Sequence, residues 1–151
     1  MRLWHKDLIP YLPRQQLIAQ WRECCAIAGS IAKKGTPNHI LVNKVLTYSN
    51  RFFINYSHMV IKEIENRGFK INKKSYDNFC KNFVKASRYW GTPYKDLGKE
   101  LYYDWHNKRY LFQCLTNLSE KYDCGGIPED EWQKIKTAFP EQIKILYDKY
   151  Y

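Results

Sequence analysis

An acid flanked by arginines on one predicted helix is the set of residues best spaced for chemistry. At ~100° per residue, Glu23 shares a helix side with Gln16, Ala19, Gln20, Ala26, Ile27 and Ser30, away from Leu17 and Trp21. Its axial neighbours Ala19 and Ala26 are small, so a ligand or another backbone can approach the carboxylate. Arg22 lies about a quarter turn away and Arg14 two turns earlier. A carboxylate placed like this can move protons or face a developing positive charge. The same pattern also describes a solvated helix face with ordinary charges.

Other chemistries find less support. His5, His39, His58 and His106 are far apart and make neither HxxxH nor HExxH, and no GxxxxGK[ST] or GxGxxG occurs. Cys24, Cys25, Cys80, Cys114 and Cys124 form an odd set without CxxC spacing. Neither a disulfide framework nor a zinc site is expected from them, and no metal or organic cofactor is expected.

The charge balance points to an anionic partner. There are 25 Lys+Arg against 15 Asp+Glu, a formal charge of +10 in 151 residues. Such a field attracts phosphates, anionic lipid or an acidic protein. Aromatic residues make up 17% of the chain, with 13 Tyr and 5 Trp, and basic charge with exposed rings suits phosphate contact combined with base stacking. Lys33-Lys34, Lys73-Lys74 and Lys108-Arg109 are expected phosphate contacts as a group. The opening Met-Arg-Leu-Trp-His-Lys-Asp lacks a signal peptide's apolar run, and no stretch approaches the ~20 apolar residues of a membrane span. The expected compartment is therefore the cytoplasm.

Positioning Glu23 requires helices. After a lead segment over 1–11, Leu12-Pro13 opens a helix to about residue 32, with Leu17, Trp21, Cys24, Ala28 and Ile31 on its buried face and Lys33-Lys34-Gly35 as its stop. Thr36-Pro37 begins a short helix over 37–47. Ser49-Asn50 caps the next, whose stripe is Phe52, Tyr56, Met59, Val60 and Ile64, ended by Arg67-Gly68. Ser75 opens a helix carrying Tyr76, Phe79, Phe83 and Val84, stopping before Gly91-Thr92-Pro93. Residues 91–103 read as an aromatic loop. Asp104 caps a helix with Leu111, Cys114, Leu115 and Leu118 inward until Gly125-Gly126, and Pro128 and Pro140 start two short terminal helices. No period-two alternation, repeat or low-complexity linker appears. The expectation is an all-α, irregular single-domain helical fold of about five to seven helices, with residues 1–151 as one domain.

The run Gln15-Gln16-Leu17-Ile18-Ala19-Gln20-Trp21-Arg22-Glu23 resembles the phage pyrimidine-dimer DNA glycosylase/AP lyase family, also called endonuclease V of the bacteriophage type. That family reads Gln-His-Leu-Met-Ala-Glu-Tyr-Arg-Glu at the same distance from its start. Residues 53–71, with Glu65-Asn66-Arg67-Gly68-Phe69, are similar to the family's helix ending in Lys-Arg-Gly-Phe. The stretch from Trp105-His106 to Leu118-Ser119-Glu120-Lys121 resembles its helix closing in Asp-Glu-Lys, and the opening Met-Arg-Leu-Trp and Pro13-Arg14-Gln15 look like a cellular branch of the family. The resemblance covers residues 1–122 in patches, and its specificity lies in the joint spacing. It also implies that residues 1–151 form a single DNA-glycosylase-like helical domain.

The resemblance implies a DNA-repair N-glycosylase coupled to a DNA-(abasic site) lyase. In that family a free α-amino group attacks C1′ of the damaged nucleotide, expels the base and leaves an imine that undergoes β-elimination. An α-amine titrates near ~7.7–8.0 and a lysine near ~10.4, so the former supplies more neutral nucleophile at cellular pH. Here Met1 precedes Arg2, a bulky second residue that blocks methionine trimming, so the expected catalytic pair is the Met1 amine and Glu23. By the resemblance, Glu23 faces the sugar's positive charge and Arg22 contacts strand phosphates. Arg2, Arg14, Lys33 and Lys34 complete the expected DNA-binding set. Gln16 and Ala26 stand where the family carries a histidine and an arginine. The implied partner is double-stranded DNA with a damaged base or abasic site, bound by a monomer. Two alternatives remain open on sequence: a non-catalytic DNA-binding protein on the same scaffold, and a helical module whose basic surface meets an acidic protein.

Overall fold

The computed structural model describes residues 2–90 and 95–150; expectations placed on Met1 and on Gly91-Thr92-Pro93 lie outside the described residues. The long helix α1 spans Arg14–Lys34, with Pro13 as its N-cap. Leu17, Trp21, Cys24, Ala28 and Ile31 are all buried on it, as their spacing demands. The helix ends at Gly35, whose φ of 71° favours glycine and whose N–H reaches Ile31 O at 2.8 Å. A Cβ on Gly35 would also meet the Tyr89 ring at 2.9 Å. At the other end no side chain of the neighbouring sequence caps α1; instead Glu131 Oε2 accepts from Arg14 N at 3.1 Å. An acid at a helix's positive end is favourable there.

The remaining elements follow the local capping chemistry. They are α2 (Ile40–Leu46), α3 (Asn50–Asn66), α4 (Lys73–Ala86), α5 (Lys108–Asp123), α6 (Glu129–Ala138) and α7 (Pro140–Tyr150), with 3-10 helices at Lys6–Tyr11 and Ser87–Tyr89. Ser49 caps α3 by accepting from Arg51 N, as expected. Two other caps differ from expectation. Asn72, rather than Ser75, caps α4, taking Ser75 N at 3.0 Å. Asn107, rather than Asp104, caps α5, accepting from Tyr110 N at 2.9 Å, while the Asp104 carboxylate accepts from the Tyr48 hydroxyl at 2.5 Å. No strand occurs among the described residues. The all-α expectation holds, with seven α-helices described.

One apolar core joins the elements. α1 packs along α4 and α3; α3 also meets the Lys6–Tyr11 turn, and α7 packs on α5 and α6. Aromatic pairs fill the α1–α3–α4 junction, Trp21 against Phe79 at 5.1 Å between centroids and Phe53 against Trp90 at 5.6 Å. Met59 and Val84, expected inward, are exposed, while Gln20 and Ile27, placed on the outer side of α1, are fully buried. For Gln20 the reason is a second layer that periodicity does not show: the backbone of Arg2 and Trp4 is bonded to its side chain. The five cysteines are free thiols. Among the described residues no helix is long and apolar enough to cross a membrane.

Candidate active site

Residues 2–6 are bonded to side chains from three helices. Leu3 and Trp4 are buried, and buried backbone groups need partners. From α1, Gln20 donates from Nε2 to Arg2 O at 2.8 Å and accepts at Oε1 from Trp4 N at 2.8 Å. From α3, the Tyr56 hydroxyl donates to Trp4 O at 2.6 Å. From α5, the Tyr110 hydroxyl donates to Leu3 O at 2.5 Å. His106, just before α5, accepts from Lys6 N at Nδ1, 2.9 Å away.

Burial keeps these groups in the protonation states that the clamp needs. It pushes the Tyr56 and Tyr110 hydroxyls up, so both remain donors, the Cys114 thiol reinforcing the effect at Tyr110. Desolvation, with His5 and Lys6 nearby, holds His106 down at about 2, so its ring stays neutral and Nδ1 remains an acceptor. His5 is lowered as well, chiefly by burial, and stacks on His106 at 5.1 Å.

The product of this clamp is a short contact at the start of the chain. Glu23 Oε2 accepts from Arg2 N at 2.9 Å and from Gln20 Nε2 at 3.4 Å. Glu23 is half-buried and lies on a hollow of about 680 Å³ that runs along α1. Arg14, Gln15, Ala19 and Arg22 form its α1 wall, and Trp4 and Lys121 stand across from them. Gln16 also lines it, and its Oε1 is buried without a hydrogen-bond partner. One carboxylate surrounded by three cations makes this a positively charged concavity of ligand size.

The expected site residues are distributed unevenly. Glu23, Arg14 and Arg22 come together on the hollow, with both arginines exposed. Arg14 also rests its guanidinium over the Phe69 ring at 4.6 Å. The Arg2 side chain turns away toward α5, its Nη1 4.0 Å from Cys114 Sγ and its guanidinium 5.0 Å from the Trp4 ring. Lys33 and Lys34 are exposed on the last turn of α1, ~15 Å along the axis from Glu23, and do not line the hollow. Gln20, Tyr56 and Tyr110 were missed as positioning residues. A glutamine on the Glu23 face was the only visible signal for them, since their partners are backbone atoms remote in sequence. Lys121 was visible only as the close of the third resembling stretch. Among the described residues no three His, Cys, Asp or Glu side chains converge as metal ligands would.

Neither a curated protein nor a solved structure matches the chain. A family model described as pyrimidine dimer DNA glycosylase matches residues 1–77, which include Glu23, Gln20, Tyr56 and the whole of α1 through α3.

Proposed function

Because the chain belongs to the pyrimidine dimer DNA glycosylase family, we propose that it excises damaged bases of the pyrimidine-dimer type from duplex DNA and then nicks the abasic strand. The nucleophile is the α-amine at the start of the chain, Met1 as the sequence stands, and Glu23 is its electrostatic and proton-handling partner. The amine's lone pair forms a bond to C1′ as the C1′–base bond breaks, the base leaving with the electron pair and taking up a proton. Ring opening gives an imine. Loss of a C2′ proton then expels the 3′ phosphate oxygen and cuts the strand. Glu23 stabilises positive charge at the sugar and carries the protons.

The contact of Arg2 N with Glu23 Oε2 at 2.9 Å supports this reading. One residue spans at most ~3.6 Å, so an amine on the residue before Arg2 is confined to the neighbourhood of that carboxylate. The same contact favours a second reading: in a chain lacking Met1 the nitrogen on Glu23 would itself be the free amine. Arg14 and Arg22, with Lys121, would hold strand phosphates around the hollow, while Arg2, Lys33 and Lys34 extend the cationic surface. Base extrusion is expected, since C1′ is poorly reached in a stacked duplex.

Abasic-site duplex incubated with the protein and borohydride should yield a covalent adduct. Glu23→Gln should still be trappable but turn over about 10²–10³-fold more slowly. Peptide mass analysis of the adduct assigns the amine to residue 1 or residue 2. No adduct from protein with a verified free amino terminus would remove the lyase claim. Salt-sensitive duplex binding without trapping would leave a binding role alone.

A further inference from the structure

A second hollow lies beyond the Arg2 side chain. It measures about 450 Å³ and is lined by Arg2, His39 and Lys44 together with Leu41, Trp105 and Tyr110. None of the described residues lining it is acidic. Lys44 Nζ lies 5.3 Å from the Tyr48 ring and 6.0 Å from the Trp105 ring, a cationic and aromatic surface suited to phosphate and base together. On its rim stands Ile40, the first residue of α2, with 90% of its surface exposed. The buried Val42 and Val45 anchor α2 beneath it.

Other apolar side chains are also exposed, among them Val84, Leu97 and Ile145, but their settings differ. Val84 lines a hollow with Asp77, Lys81 and Lys85 on the outer face of α4, and Leu97 follows Asp96 in a turn. Ile40 alone of these four stands on a hollow that also takes in Arg2, the residue whose backbone nitrogen is on Glu23. A strand whose reacting sugar sits at Glu23 and whose backbone follows the Arg2 side chain would therefore pass Ile40.

We propose that Ile40 is an unstacking wedge: it enters between bases of the duplex next to the reacting nucleotide, while Arg2 and Lys44 hold the phosphates on either side. Apolar side chains on cationic surfaces act this way in DNA-kinking proteins, where the separated bases expose more of the strand to the protein. The opened step gives the C1′ access that the chemistry needs. This assignment rests on the reading that DNA lies in the Glu23 hollow.

The test uses a duplex with 2-aminopurine beside an abasic site. Wild-type protein should brighten the probe on binding, and Ile40→Ala should lose that brightening. Borohydride trapping by Ile40→Ala should slow about ten-fold on the duplex but stay within about two-fold on single-stranded abasic DNA, where nothing needs unstacking. Ile40→Leu should restore both readouts, and Val84→Ala should leave them unchanged. Thermal melts should coincide, because the side chain covers no core. Equal brightening and equal duplex rates for wild type and Ile40→Ala would overturn the wedge while leaving the lyase reading intact. Equal slowing on duplex and single strand would also overturn it. If wild type forms no adduct at all, the lyase reading fails and the brightening alone decides the wedge.

Discussion

On one side of α1, Leu17, Trp21, Cys24, Ala28 and Ile31 press against other apolar side chains; on the other, Gln20 and Glu23 meet the backbone of residues 2–4. Apolar contacts are tolerant of direction and are worth roughly the area they remove from water. Hydrogen bonds to a buried backbone are directional, and losing one partner strands the other. The apolar side can therefore hold α1 in the core without specifying where the chain begins. The polar side fixes one nitrogen against one carboxylate, and it is the side that opens onto the cationic hollow.

Mutations can break this division of labour. Trp21 is 6% exposed and packs on Phe79, so Trp21→Ala should cost about 3–5 kcal/mol. The loss should show as a large drop in the urea midpoint, with borohydride trapping by the remaining folded protein unchanged. Gln20→Met keeps similar volume but strands Trp4 N and Arg2 O, costing about 2–4 kcal/mol. It should depress trapping as well, since Arg2 N is then no longer positioned on Glu23. If Trp21→Ala abolished trapping while folded and Gln20→Met spared it, the comparison would be reversed.

The two sides also differ in how legible they were. Spacing alone exposes an apolar face because every residue in it needs only to face inward, a property local to the helix. The burial of Gln20 depends on Arg2 and Trp4 crossing above it, which no window of sequence contains. Glu23 was singled out by its small neighbours and by the resemblance, and the family model now covers it. Its contact with Arg2 N was not visible in either. Caps were misplaced for a related reason: Asp104 and Asn107 are both competent in sequence, and that Asp104 meets the Tyr48 hydroxyl, 56 residues away, while Asn107 takes the cap is not visible in any local window. Met59 and Val84 fit their helical stripes, but no element covers them.

Acid should weaken the polar side through its histidines. The folded His106 value is lowered from 6.5 to about 2, by desolvation first and then by His5 and Lys6. His5 is lowered in the same direction. With a depressed folded value the unfolded chain binds the proton more readily, so stability is fully present above about pH 6.5 and falls as pH drops below it. For His106 alone the loss amounts to about 2 kcal/mol between pH 7 and pH 5, and His5 adds to it. Urea titrations at the two pH values measure the sum. His106→Asn keeps an acceptor near Lys6 N but cannot take up a proton, so it should flatten the pH dependence while lowering stability at pH 7. A variant as acid-sensitive as the wild type would mean that the clamp on residues 2–6 does not depend on a neutral ring at position 106.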